Sequence, residues 1–136
     1  MAFPEKWLRE RLDLATTAGI HPILAGQNAS FPLVVYRRTG TRRERNLISG
    51  NIGRPVATFS VSVVCETYSQ AKDIADAVRM KVDNFTGETQ GVTIMGVSLV
   101  SEADNMERPA EGQAKPLYRV DQVYEVRFIE TVQGGT

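Results

Sequence analysis

The chain has 136 residues, enough for one domain with a sizeable core. Lys plus Arg is 16 and Asp plus Glu is 16, so the net charge is zero. That balance disfavours a protein whose main task is coating nucleic acid, which needs an excess of cations. Hydrophobic residues make up 42% and charged residues 24%, a globular rather than a disordered composition.

Residues 1–11 hold Glu5, Lys6, Arg9 and Glu10 and no apolar run, unlike a signal peptide. No stretch approaches the ~18 consecutive apolar residues of a membrane span. Together these predict a cytoplasmic, membrane-free protein.

Pro4 suits the first turn of a helix. Trp7, Leu8, Leu12 and Ala15 recur at helical spacing opposite Glu5, Lys6, Arg9, Glu10 and Asp13, and Gly19 is a candidate stop. A looser segment follows from His21-Pro22 to Ser30. Phe31 to Arg38 predicts a strand, and Asn46 to Pro55 has loop composition. In Val56 to Cys65, Ala57, Phe59, Val61, Val63 and Cys65 point one way and Thr58, Ser60 and Ser62 the other. That is a half-buried strand with one wet face.

Thr67 to Gln70 fits a capping box. Ala71, Ile74, Ala75, Val78, Val82 and Phe85 then form an apolar helical stripe ending near Asn84 and Gly87. Val92 to Val100 predicts a strand. Glu102 to Pro116 is polar, holds Pro109, Gly112 and Pro116, and predicts a long loop. Leu117 to Thr131 predicts a last strand, with Tyr118, Val120, Gln122, Tyr124, Val126 and Phe128 on one face. Arg119, Asp121, Glu125 and Arg127 lie on its other face. Residues 132–136 predict a frayed tail.

The order helix, strand, strand, helix, strand, strand predicts a single α+β domain over residues 1–136. It would be a four-stranded, mainly antiparallel sheet with two helices packed on one face.

Chemistry is sparse. A nucleophilic triad needs a base, and His21 is the one histidine, placed before a proline in what reads as a loop. Cys65, the one cysteine, falls on an apolar strand face, where it behaves as a small hydrophobe. A four-ligand zinc site cannot be built from this pair. Gly50-Asn51-Ile52-Gly53-Arg54 lacks the Lys-Ser or Lys-Thr of a phosphate loop and leads into a strand, so a hairpin is the better reading. Glu102 with Asp104, and Asp121 with Glu125, carry no signature beyond solvated acidity. The residues therefore predict no enzyme, no cofactor and no metal.

The one concentration of charge is the segment Arg37 to Arg45, which holds Arg37, Arg38, Arg42, Arg43 and Arg45 with Glu44 as its only acid. Arginine pairs bidentately with carboxylates and is enriched at interfaces. A solvated hairpin end, a subunit interface or ring lumen, and a nucleic-acid site all stay open for it. The lack of interleaved aromatics after Tyr36 counts against the last.

In order and spacing the chain resembles the phage tail-completion, or tail-terminator, family of siphophages, prophages and gene transfer agents. The resemblance runs from about Phe31 to Thr131. It is carried by Phe31 to Tyr36 before the arginine-rich turn and by the alternating strand ending Cys65-Glu66-Thr67-Tyr68. It continues through Ala71 to Arg79, Gly91 to Ile94, and Leu117 to Val126.

The resemblance implies a virion protein at the head–tail junction, assembled in the host cytoplasm. It implies a homo-hexameric ring that ends tail-tube growth, contacts the tail-tube protein and the head's neck proteins, and lets DNA through its lumen. For such a ring the candidate interface or lumen residues are Arg37, Arg38, Arg42, Arg43, Arg45, Arg119 and Arg127, and a sheet edge could pair with the next subunit's edge. The alternative is a small nucleic-acid-binding module using the Arg37–Arg45 hairpin.

Overall fold

In the computed structural model, residues 3–23, 30–43, 45–46, 50–51, 54–107 and 116–129 are described. The elements in chain order are α1 (Pro4–Ala15), β1 (Gly19–Pro22), β2 (Leu33–Arg42), β3 (Arg45–Asn46), β4 (Gly50–Asn51), β5 (Val56–Cys65), α2 (Tyr68–Val82), β6 (Gly87–Thr89), β7 (Val92–Glu107) and β8 (Leu117–Ile129). The fold is α+β, as expected, with both helices where the periodicity places them.

The sheet has six strands, not four, in the order β1-β2-β5-β8-β7-β6. The four anticipated strands are its centre, β2-β5-β8-β7, and every pairing among them is antiparallel. The additions are the two outermost strands. β1 runs parallel to β2, and β6 pairs antiparallel with β7. With three or four residues each, neither is long enough to show an alternation, and β1 hides behind the His21-Pro22 turn signal. Gly19 opens β1 rather than closing α1, which ends at Ala15 with Thr16 as its C-cap. β3 and β4 form a separate two-residue ladder, in keeping with the hairpin expected there.

β7 is the larger correction. It runs through Glu107, so the predicted Glu102–Pro116 loop begins at least six residues later. Ser101 to Met106 are all exposed. A strand wet on both faces has no apolar alternation to reveal it. The remainder of that loop, residues 108–115, and the tail expected at 132–136 lie outside the described residues, as does most of the 24–30 segment.

The core forms because β5 and β8 each bury one face completely. Ala57, Phe59, Val61, Val63 and Cys65 on β5 meet Val120, Tyr124 and Val126 on β8, all at 0% exposure. Both helices close over that face. α1 contributes Trp7, Leu8 and Leu12, and α2 contributes Ala71, Ala75, Val78 and Val82. The Thr67 hydroxyl caps α2 by accepting from the Gln70 N–H at 3.4 Å.

One polar side chain, Gln122, is buried among these residues. Its amide donates to Ala75 O at 2.9 Å on α2 and to Glu102 Oε2 at 2.8 Å on β7, while its oxygen accepts from the Tyr124 hydroxyl at 2.8 Å. Burial of Tyr124 raises its pKa, which keeps the hydroxyl a donor.

α1 is held at three further points. Arg38 on β2 donates to Glu5. Arg11 donates from Nε to Lys81 O at 2.9 Å, satisfying an end carbonyl of α2, and covers the Phe85 ring at 4.7 Å. Glu10 accepts from Thr89 Oγ1 at 2.9 Å and from Gln90 in the β6–β7 turn. That turn is two residues long, with positive φ at Gln90 (55°) and Gly91 (74°), as a tight hairpin between twisted strands requires.

Trp7 is the largest of the fully buried side chains and packs on Phe85 at 5.5 Å between ring centroids. Trp7→Ala is therefore expected to lower unfolding stability by about 3–5 kcal/mol, read as a shift in the urea midpoint. An unchanged midpoint would show that α1 does not seal the core.

Candidate assembly surface

The arginines singled out by the sequence fall into two groups. Arg37, Arg38, Arg42, Arg43 and Arg45 follow β2 and its exit toward β3, on one side of the sheet. Arg119 and Arg127 stand on β8, in the sheet's interior, on the face that carries no helix.

Within the first group, Arg37, Arg42 and Arg43 are exposed. Arg37 and Arg42 occupy positions across from Ser60 and Val56 on the helix-free face. Arg38 is different. It is opposite Phe59 on the core face, and its guanidinium lies 5.5 Å from the Phe59 ring and 5.6 Å from the Phe128 ring. It donates to Glu5 and, at 3.1 Å, to Thr41 Oγ1. Its charge is spent inside the subunit, holding α1 to β2. The side chain of Arg45 lies outside the described residues.

Within the second group, Arg119 Nε donates to Asp121 Oδ2 at 3.0 Å. Asp121 also accepts from Ser62 Oγ and Asn105 Nδ2, each at 2.7 Å. This polar ladder crosses β5, β8 and β7 on the helix-free face. Arg127, farther along the same face, lines an open groove of about 400 Å³ with Val56, Met95, Gly96, Ser98 and Glu125.

The far side of the sheet carries a cluster that the sequence left as solvated acidity. Asp104 on β7 accepts from Tyr68 Oη at 2.6 Å and from Lys72 Nζ at 3.1 Å, and Lys72 also stands 3.6 Å from Glu102. Tyr68 and Lys72 are one turn apart at the start of α2, the spacing that puts two side chains on one patch. That spacing was the available signal. The missing half was the continuation of β7 past Val100.

These hydrogen bonds hold Asp104 below the usual aspartate range, chiefly through Tyr68 and then Lys72. They raise both Tyr68 and Lys72.

The residues considered for catalysis are kept apart. Cys65 is fully buried on β5, and burial pushes its thiol upward. His21 is half-buried on β1, and β2 lies between those two strands. Among the described residues no group of three or more His, Cys, Asp and Glu is placed to hold a metal ion. No described helix is long and apolar enough to cross a membrane.

Residues 6–128 match the family model described as tail completion protein gp17. In a solved structure titled "Virion of native gene transfer agent (GTA) particle", one chain superposes with a TM-score of 0.67 at 15% identity. The match covers 90% of this chain and 91% of that one. A second solved structure matches at 16% identity over 96% of this chain and 94% of its own, with a TM-score of only 0.45. No curated protein matches the sequence significantly.

The depressed Asp104 gives a pH expectation with a definite sign. A carboxylate whose folded pKa lies below its unfolded value contributes above the unfolded value and loses that contribution as pH falls through the folded one. The Tyr68–Asp104–Lys72 tether should thus persist through the range where an ordinary aspartate begins to protonate and release only at more acid pH. A carboxyl NMR titration should place Asp104 below an ordinary aspartate, and Tyr68→Phe or Lys72→Met should move it back up. An ordinary midpoint in the unaltered protein would contradict the tether.

Proposed function

We propose that this chain, which belongs to the tail completion protein family, acts as a ring-forming subunit at the head-proximal end of a phage tail. There it ends growth of the tail tube and joins the tail to the head. Membership in that family makes it a structural protein of the virion tail.

The observation that carries the finer reading is the extent of the family match. Residues 6–128 take in all but the first two residues of α1 and the last of β8, so nearly the whole fold, not a borrowed fragment, matches the family. The likeness of fold to a chain from a gene transfer agent virion points the same way.

The role is assembly rather than catalysis. Its partners would be further copies of itself in a hexameric ring, the tail-tube protein below and the neck proteins above. DNA would pass the lumen without being read in sequence. A single-domain subunit would suit this role, with each copy acting as one ring segment.

The nucleic-acid-binding alternative is weakened by the fate of Arg38. With its guanidinium committed to Glu5 and two aromatic rings, the hairpin offers fewer cations to a phosphate backbone than the sequence suggested. That module would show salt-dependent binding to short duplexes or single strands, and a flat titration at low salt removes it.

Tails assembled without this subunit should overrun their normal length and fail to join heads, as seen by electron microscopy. Tails of unchanged length with heads attached would overturn the reading. Replacing Arg42, Arg43 and Arg45 together with Ala should leave the fold intact and weaken assembly. Undiminished ring formation would remove that segment from the interface.

A further inference from the structure

Met80, at 71%, is the most exposed large apolar side chain among the described residues. It stands on the outward face of α2, opposite the buried stripe of Ala71, Ala75, Val78 and Val82. Ser69, Asp73 and Asp76 share that outward face at helical spacing, and all of them are exposed. The Asp73 carboxylate has no partner among the described residues. Asp76 accepts from Arg79 at 2.7 Å, yet its side chain stays 65% exposed. The exterior of α2 is thus an apolar knob beside two carboxylates.

The helix-free face of the sheet holds the matching features. The open groove of about 400 Å³ lies there, with Val56 and Met95 as its apolar walls. Gly96 adds no side chain to it, and a Cβ at that position would meet nothing within 4 Å. The first skip in the β7–β8 ladder makes this shape, because it drops Met95 out of the pairing and sets Gly96 opposite Arg127.

Cations surround the groove. Arg127 lines it, Arg42 is opposite Val56, and Arg37 is level with Val123 through Ser60. Arg37 and Arg42 are exposed and have no partner among the described residues. The groove's one carboxylate, Glu125, has a counterpart in Lys81, exposed beside Met80.

Knob and groove lie on opposite faces at nearly one level. Gln122 donates to Ala75 O, and Asp83 accepts from the N–H of Leu99, which is opposite Tyr124. The α2 residues between Ala75 and Asp83, Met80 among them, therefore pass over Gln122–Tyr124. Glu125 and Ser98, at the near end of the groove, follow within one or two strand residues, about 3–7 Å. Asp76, next to Ala75, is level with Arg37.

A neighbour rotated about an axis along the strands thus brings its α2 exterior onto the bare face with these features in step. Two bare faces would set arginine against arginine, and two α2 faces carboxylate against carboxylate. Only unlike faces attract, and their contact is head to tail, the type that closes rings when the rotation completes.

We propose that Met80 of one copy of this chain inserts into the Val56–Met95–Gly96 groove of a second copy, with Asp73 and Asp76 turned toward the second copy's Arg37 and Arg42. The proposal rests on the ring reading and names its contact. Methionine suits the role, because its flexible thioether adapts to an irregular groove.

Cysteine cross-linking tests the contact. Ser98 is exposed and lines the groove, and buried Cys65 stays out of the reaction. Met80→Cys mixed with Ser98→Cys should give a disulfide-linked pair under mild oxidation, and neither variant alone should. In a second arm, Asp73→Lys with Asp76→Lys, and separately Arg37→Glu with Arg42→Glu, should each weaken self-association at least tenfold with an unchanged circular dichroism spectrum. Mixing the two reversed chains should restore it, because each supplies the surface the other lacks.

If rings form on tails yet the cysteine mixture stays unlinked and neither reversal weakens them, the contact is wrong and the ring stands. Self-linking of Met80→Cys alone at the efficiency of the mixture would show like faces meeting, which also overturns it. If the unaltered protein never self-associates, alone or on tails, the ring reading falls as well.

Discussion

The register of β8 is the constraint on which the rest of the molecule depends. It is the strand that joins the two halves of the sheet, paired with β5 along one side and with β7 along the other. Its buried positions, Val120, Gln122, Tyr124, Val126 and Phe128, alternate with Arg119, Asp121, Val123, Glu125 and Arg127. A slip of one residue against either neighbour would turn four charges into an apolar layer, a cost of several kcal/mol for each unpaired ion. Gln122 sharpens the register further. Its amide satisfies one carbonyl on α2 and one carboxylate on β7, so helix, central strand and outer strand must all be in place together.

With β8 set, the functional surfaces follow. The helices occupy one face, which leaves the other to a polar ladder running through Ser62, Asp121, Arg119 and Asn105. The strands that reach farthest from β8 cannot be fully covered by short outer strands. Among the described residues parts of β2 and β7 lack an outer strand, and a protein of a virion tail, built to meet neighbours, has a use for such edges.

Much of this was legible in the residues. The alternation in Val56–Cys65 and in Leu117–Phe128 placed every core residue of β5 and β8 on its correct face, including polar Gln122. The Thr67 cap and the Ala71–Val82 stripe located α2. What escaped had one physical cause, namely that periodicity reports burial and little else. β1 and β6 are too short to carry a period. The outer half of β7 is exposed on both faces, so its polar run looked like a loop. The division of the arginines was equally hidden, because Arg37 and Arg38 differ only in parity along β2. Parity sends one to solvent and the other onto Phe59 and Phe128 beside Glu5.

The ladder between β7 and β8 skips at Met95 and again at Val100, each an extra residue on β7 with no counterpart on its partner. Each skip reverses the parity of everything after it. Through these two steps Ile94, Val97, Leu99 and Glu102 all come to lie on the helix side despite their irregular spacing. The two halves of β7 are thus out of phase. Deleting Val100 would shorten the strand by one residue and remove the second skip. Because Val100 has no partner on β8, its removal would leave Leu99 opposite Tyr124 and Ser101 opposite Val123, with Glu102 and Asp104 still on the side of Lys72. An unpaired residue is one the ladder can lose without turning its neighbours over, so deletion of Met95 or Val100 should cost less than a deletion inside the continuously paired run Ala103–Met106.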